Sequence, residues 1–126
     1  MRTWMFAVLM AAGLAAGCHS TTPVEFCDSY EVEVCAREYE CWDDATKMSS
    51  DFVMHYGTTV AECETRLKTN ACGATSNDNP CAVAGKTYHA DKADACVADL
   101  KAASCTAITS APPNNFVSSN CESVCS

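Results

Sequence analysis

Apolar positions recur with a helical period through most of the chain, but residues 4–14 form an unbroken apolar run with no charge. From residue 23 the pattern becomes an amphipathic helix reaching to about residue 44. Thr22 can cap it, Pro23 suits its first position, and Glu25 completes a capping box. At about 100° per residue, Cys27, Cys35 and Cys41 fall within an arc of about 120°. Phe26, Tyr30 and Val34 flank that side. The rest of the helix is acidic (Glu25, Asp28, Glu31, Glu33, Glu38, Glu40, Asp43 and Asp44 against Arg37 alone) and reads as a solvated face. Residues 45–51 are polar and read as a turn region. A single apolar turn follows over residues 52–56, closed by Gly57. A second helix is expected from about residue 59 to 72, capped by Thr58 or Thr59, with Thr59 and Glu62 forming a second capping box and Gly73 as the stop. Residues 74–80 are a loop. Residues 81–89 are irregular, with a short extended piece around 86–88. Asp91 caps a third helix to about residue 105. Residues 106–115, with Pro112-Pro113, read as a loop, and residues 116–125 as a short last helix. The expected fold is all-α: a small disulfide-stapled bundle of three to four helices with irregular loops.

The apolar run is too short to span a bilayer, which takes about 20 apolar residues. With Arg2 before it and small residues after it, it reads as a cleaved export signal. Its ending, Leu14-Ala15-Ala16-Gly17-Cys18, resembles the bacterial lipobox, in which small residues precede a cysteine that is acylated and becomes the first mature residue. Ala15 occupies the usual leucine position, and Leu14 stands one place further back. The resemblance implies a signal peptide over residues 1–17, a lipidated tether over 18–22 and a cysteine-rich helical domain over 23–126. Several acyl chains on Cys18 would anchor the chain stably, where a single chain would not.

Counting cysteines leads to the same residue. The chain has eleven, and an odd number in an exported protein leaves one without a partner. Setting Cys18 aside leaves Cys27, Cys35, Cys41, Cys63, Cys72, Cys81, Cys96, Cys105, Cys121 and Cys125. These suffice for five disulfides, which an oxidising compartment favours over free thiols. So many bridges point to a Gram-negative periplasm or cell surface, where oxidation is enforced.

Composition explains why bridges are needed. Hydrophobic residues make up 48% of the chain, but the signal takes many of them, and alanine and cysteine supply most of the rest. Beyond residue 18 there are two leucines (Leu67, Leu100), one isoleucine (Ile108) and eight aromatics. A core this thin is marginal, and disulfides worth about 2–4 kcal/mol each make up the deficit. The net charge is -8, and loss of Arg2 with the signal makes it more negative. Such a chain is a poor nucleic-acid binder and is repelled by anionic head groups.

The second and third helices echo each other. Cys63-x3-Leu67-Lys68-x3-Cys72 has the spacing of Cys96-x3-Leu100-Lys101-x3-Cys105, and Thr58 and Asp91 stand at the same distance upstream. Cys63 and Cys96 share a helix face with Leu67 and Leu100 and so point inward. Cys72 and Cys105 lie on the far side or at the helix end. The simplest pairing joins two of the first-helix cysteines to Cys63 and Cys96 and the third to Cys121 or Cys125. Cys72 then closes a short loop to Cys81, and Cys105 takes the remaining C-terminal cysteine. Ten cysteines allow roughly 945 pairings, so spacing alone does not single one out.

Little in the sequence points to catalysis. No Cys-x-x-Cys pair, Gly-x-Ser-x-Gly elbow or His-Glu-x-x-His motif occurs, which removes the usual signatures of thiol redox, serine hydrolase and zinc protease chemistry. Cys35-x5-Cys41 and Cys121-x3-Cys125 are not zinc spacings. His19 lies in the tether, and His55 and His89 precede helices. No catalytic residue, metal site or cofactor is expected. Tyr39, Trp42, Phe52 and Tyr56 are core candidates or, failing that, an exposed aromatic patch.

The stretch Tyr88-x3-Lys92-Ala93-x-Ala95-Cys96-x3-Leu100-x4-Cys105, with the Phe26-Cys27 opening, resembles cysteine-rich, alanine-rich exported lipoproteins of myxobacterial type. That resemblance implies no activity and no functional residues. Similarity to lipoproteins generally implies outer-membrane sorting from His19 after the lipid cysteine. The expectation is a membrane-anchored, non-enzymatic lipoprotein of the Gram-negative outer membrane, on its periplasmic face or the cell surface. Its expected role is structural or in protein interaction, and its contacts are the membrane, through the lipid on Cys18, and an envelope protein partner. The competing readings are a carrier of small apolar ligands and an inhibitor of envelope enzymes, the latter presenting the loop at residues 74–80.

Overall fold

A computed structural model describes residues 20–72, 81, 84–110 and 116–126. The signal, Cys18, His19, Gly73 and the loop at residues 74–80 lie outside the described residues. Seven helices are defined among them: α1 (Pro23–Cys41), α2 (Asp44–Lys47), α3 (Ser50–Tyr56), α4 (Val60–Ala71), α5 (Ala90–Ala102), α6 (Cys105–Ser110) and α7 (Ser119–Glu122). The all-α, disulfide-rich fold is the expected one. The three longest, α1, α4 and α5, have 19, 12 and 13 residues, and α1 is central, lying against α4, α5 and α6.

Local chemistry sets the helix starts. Thr22 accepts from the Glu25 amide, and the Glu25 carboxylate returns to the Thr22 amide at 2.8 Å, closing the expected capping box. α1 ends at Cys41, three residues early, because Asp43 caps a new turn by accepting from the Thr46 amide at 2.7 Å. Ser49 caps α3 in the same way. The stretch expected to be a turn region is therefore largely helical. Thr59, one of the two candidates, caps α4 at 3.1 Å. Glu62 does not return to Thr59, however; it accepts from the Thr58 amide at 2.8 Å and the Thr58 hydroxyl at 2.9 Å. Asp91 is not the cap of α5. His89 occupies that position without a side-chain hydrogen bond, and Asp91 sits in the first turn. The expected loop after residue 105 opens instead as α6, which buries Ile108.

The extended piece around residues 86–88 is present as a miniature antiparallel pairing. Thr87 and Ser126 exchange backbone hydrogen bonds at 2.9 and 3.2 Å, and the His89 amide donates to Val124 at 2.9 Å. Among the described residues this is an isolated bridge, Tyr88 opposite Cys125.

The core is in two parts. The larger contains Val34, Cys35, Phe52, Tyr56, Cys63, Leu67, Leu100 and Ile108. The smaller gathers Cys81, Ala93, Cys96 and Val124, with Phe26 and Tyr88 beside it. Tyr30 touches both. The bridges are Cys27–Cys72, Cys35–Cys63, Cys41–Cys105, Cys81–Cys125 and Cys96–Cys121. All ten expected cysteines thus pair, and Cys63 meets a first-helix cysteine as anticipated. The other four expected links are corrected. Cys72 reaches Cys27 and not Cys81, Cys96 takes Cys121 and not a first-helix cysteine, Cys105 takes Cys41 and not a C-terminal one, and no first-helix cysteine meets Cys121 or Cys125, the latter pairing with Cys81. The reason is the position of α1. It runs beside the ends of both α4 and α5–α6, so Cys27 and Cys41 at its two ends meet the cysteines at those ends.

Candidate functional site

The acidic side of α1 is not wholly solvated. Glu31 and Glu38 are buried, at 8% and 7% exposure. They stand seven residues apart, which returns to nearly the same angle on a helix. Both fall inside the arc of Cys27, Cys35 and Cys41. Burial raises the pKa of each carboxyl above the ordinary glutamate value, because desolvation penalises the charged form.

Each carboxyl opens into its own cleft. Glu38 lines one of about 400 Å3, with Trp42, Asp51, Phe52, His55 and Tyr56 around it. The Trp42 indole N–H donates to Glu38 Oε2 at 2.6 Å. That bond and an interaction with the Tyr56 hydroxyl partly offset the effect of burial on Glu38. Phe52 and Tyr56 are fixed from below, their ring centroids 4.8 Å apart, with Tyr39 edge-on to Phe52 at 5.3 Å. The Tyr39 hydroxyl donates to the Gly57 carbonyl at 2.9 Å and ties α1 to the end of α3. Glu31 lines a second cleft of about 440 Å3, together with Met54, His55, Arg66 and Asn70. His55, exposed on the last turn of α3, borders both.

Arg66 shapes the wall of the second cleft. Its guanidinium donates to the Val53 and Met54 carbonyls at 3.1 and 2.8 Å and to Glu62 at 2.6 Å. It therefore satisfies the Met54 carbonyl at the end of α3 and adds a second bond to the Val53 carbonyl, which already accepts from the Gly57 amide at 2.9 Å.

The aromatic quartet packs inward: Phe52 and Tyr56 are buried, and Tyr39 and Trp42 are half-buried against the same core. It is not an exposed patch. Among the described residues the large apolar side chains that reach solvent are Met48, Met54, Val60 and Val117, with Met48 the most open at 77% exposure. His89 caps α5 and its ring nitrogen lies 2.9 Å from the Ser126 hydroxyl. Among the described residues no group of three or more His, Cys, Asp or Glu is placed to hold a metal. Cys18 and His19 lie outside the described residues. Glu31 and Glu38 are the residues that reading the sequence missed, although their angular position within the cysteine arc was a usable signal.

No helix among the described residues is long and apolar enough to cross a membrane. Five bridges in so small a fold are consistent with an extracytoplasmic protein. Compared with protein-family models, curated proteins and solved structures, the chain matches none.

Proposed function

We propose that the chain is an envelope lipoprotein, anchored to the Gram-negative outer membrane by acyl chains on Cys18. Its helical domain serves as a structural or protein-interaction module and not as an enzyme. The observation that carries this reading is the partition of the cysteines. Five bridges take ten of the eleven, and Cys18 is the one outside them. A single leftover cysteine behind small residues is what lipidation requires. Two further features support it. α1 starts at Pro23, five residues beyond Cys18. The segment before it is pinned to the domain, since the Tyr88 hydroxyl donates to the Thr21 carbonyl at 3.0 Å and Thr21 hydrogen-bonds Asp94. A lipid on Cys18 would therefore hold the domain close to the bilayer.

The reading as a carrier that encloses an apolar ligand within its core is weaker. The space inside the core between Tyr30, Val34, Leu100, Ile108 and Phe116 is about 10 Å3, room for one water at most. The inhibitor reading rests on residues 74–80, outside the described residues.

Mass spectrometry of the membrane fraction, with and without reduction, tests the proposal. The expected species begins at an acylated Cys18 and gains the mass of five reduced bridges. Cys18→Ser is expected to move the protein into the soluble fraction. An unacylated Cys18 in membrane-bound protein would refute the anchor.

A further inference from the structure

The cleft above Glu38 is lined by a carboxyl that the protein leaves without a cationic partner. Glu38 as a residue is 7% exposed. It receives an indole N–H and interacts with a phenol, but no cation among the described residues pairs with it. Arg37 pairs with Glu40, Lys47 with Asp44 and Arg66 with Glu62, and His55, which borders the cleft, makes no ion pair with Glu38. A carboxylate has about four acceptor positions, so Glu38 retains capacity toward the cleft. Around it stand the rings of Trp42, Phe52 and Tyr56, and Asp51 adds a second negative group at the rim.

We infer that this cleft binds a small organic cation, a protonated amine carried on an apolar body about the size of one ring. An ammonium beside Glu38 would exchange its water shell for a charge-assisted hydrogen bond and for attraction to the electron-rich ring faces. The apolar body would cover Trp42 and Phe52. The volume of about 400 Å3 lies in the range of small-molecule sites. Anions are disfavoured by Glu38, Asp51 and the chain's net charge of -8. Among the described residues no group of three or more His, Cys, Asp or Glu is placed to hold a metal ion. This inference does not depend on the lipid anchor.

The test uses the full chain in neutral detergent with Trp4→Phe, which leaves Trp42 as the single tryptophan. Trp42 emission is followed during titration with phenethylammonium, its neutral N-acetyl analogue, and the tripeptide acetyl-Gly-Lys-Gly-amide. Saturable binding of phenethylammonium is expected, at least about tenfold tighter than the neutral analogue, the worth of one charged hydrogen bond. Glu38→Gln keeps an acceptor for the Trp42 indole and is expected to weaken binding about tenfold or more. Asp51→Asn, at an exposed position, should weaken it about twofold to threefold, and far-UV circular dichroism with a count of five bridges controls for folding. Absence of saturation in folded protein overturns the inference. So does equal binding of the neutral analogue, or an unchanged affinity in both variants. Tighter binding of the lysine tripeptide would overturn the small-molecule assignment in favour of a basic protein side chain.

Discussion

Glu31 and Glu38 are the residues at which this fold works against its own stability. Each is an acid on the buried side of α1 with its pKa raised by desolvation. A raised folded pKa means that the native state keeps its proton to higher pH than the unfolded chain. The contribution of these groups is then fully present below the unfolded glutamate pKa of about 4.3 and is lost as pH rises through the folded values. The double variant Glu31→Gln with Glu38→Gln is accordingly expected to show a flatter stability profile between about pH 4 and 7, with a higher denaturation midpoint at pH 7. Urea unfolding across that range checks this, and a profile superposing on the parent would remove the account. Glu62 and Asp43 carry the opposite sign. Backbone amides at Thr58 and Thr46 hold their carboxyls below the ordinary values, so their contribution is present above the unfolded pKa and disappears on acidification.

At the scale of elements, the α3–α4 hairpin shows how few groups fix a helix pair. Gly57 turns the chain at φ 78, in the left-handed region. A Cβ built there would lie 2.6 Å from the Glu62 side chain, the same carboxylate that caps Thr58 and holds Arg66. Gly57→Ala is therefore expected to cost about 1–3 kcal/mol, from left-handed strain and from displacing Glu62, and chemical denaturation measures it. Much of this element level was legible beforehand. Thr22, Pro23 and Glu25 announce α1 because capping is a local transaction between neighbours in the chain. Asp91 misled because a good capping residue competes with tertiary demand. The pairing of Thr87 with Ser126 and His89 with Val124 fixes where α5 starts. That pairing joins residues far apart in sequence, which no local pattern records.

For the whole molecule, the bridges replace the core that the composition lacks. Cys41–Cys105 closes 64 residues of chain and Cys27–Cys72 closes 45, and cross-links over long loops restrict the unfolded chain most. Replacing Cys41 and Cys105 together by serine is expected to lower stability by about 2–5 kcal/mol, read from the shift in denaturation midpoint. Non-reducing peptide mapping is expected to recover Cys27 joined to Cys72, and no fragment joining Cys72 to Cys81. Core packing belongs to the same scale. Leu100 is almost fully buried, at 1% exposure, and Leu100→Ala should cost about 2–5 kcal/mol by the same measurement.

Helix content, the start of α1, the inward direction of Cys63 and Cys96 and the participation of ten cysteines in bridges all followed from the sequence by itself. Each depends on spacing along one helix or on the parity of a count. Which cysteine meets which, the burial of Glu31 and Glu38 and the two clefts beside them were decided only by the tertiary structure. The physical reason is that a helix periodicity states which residues share a face but not which neighbour covers it. α4, α5 and α6 all pack on α1, and only their arrangement places the two acids beneath α3 and α4 instead of in water.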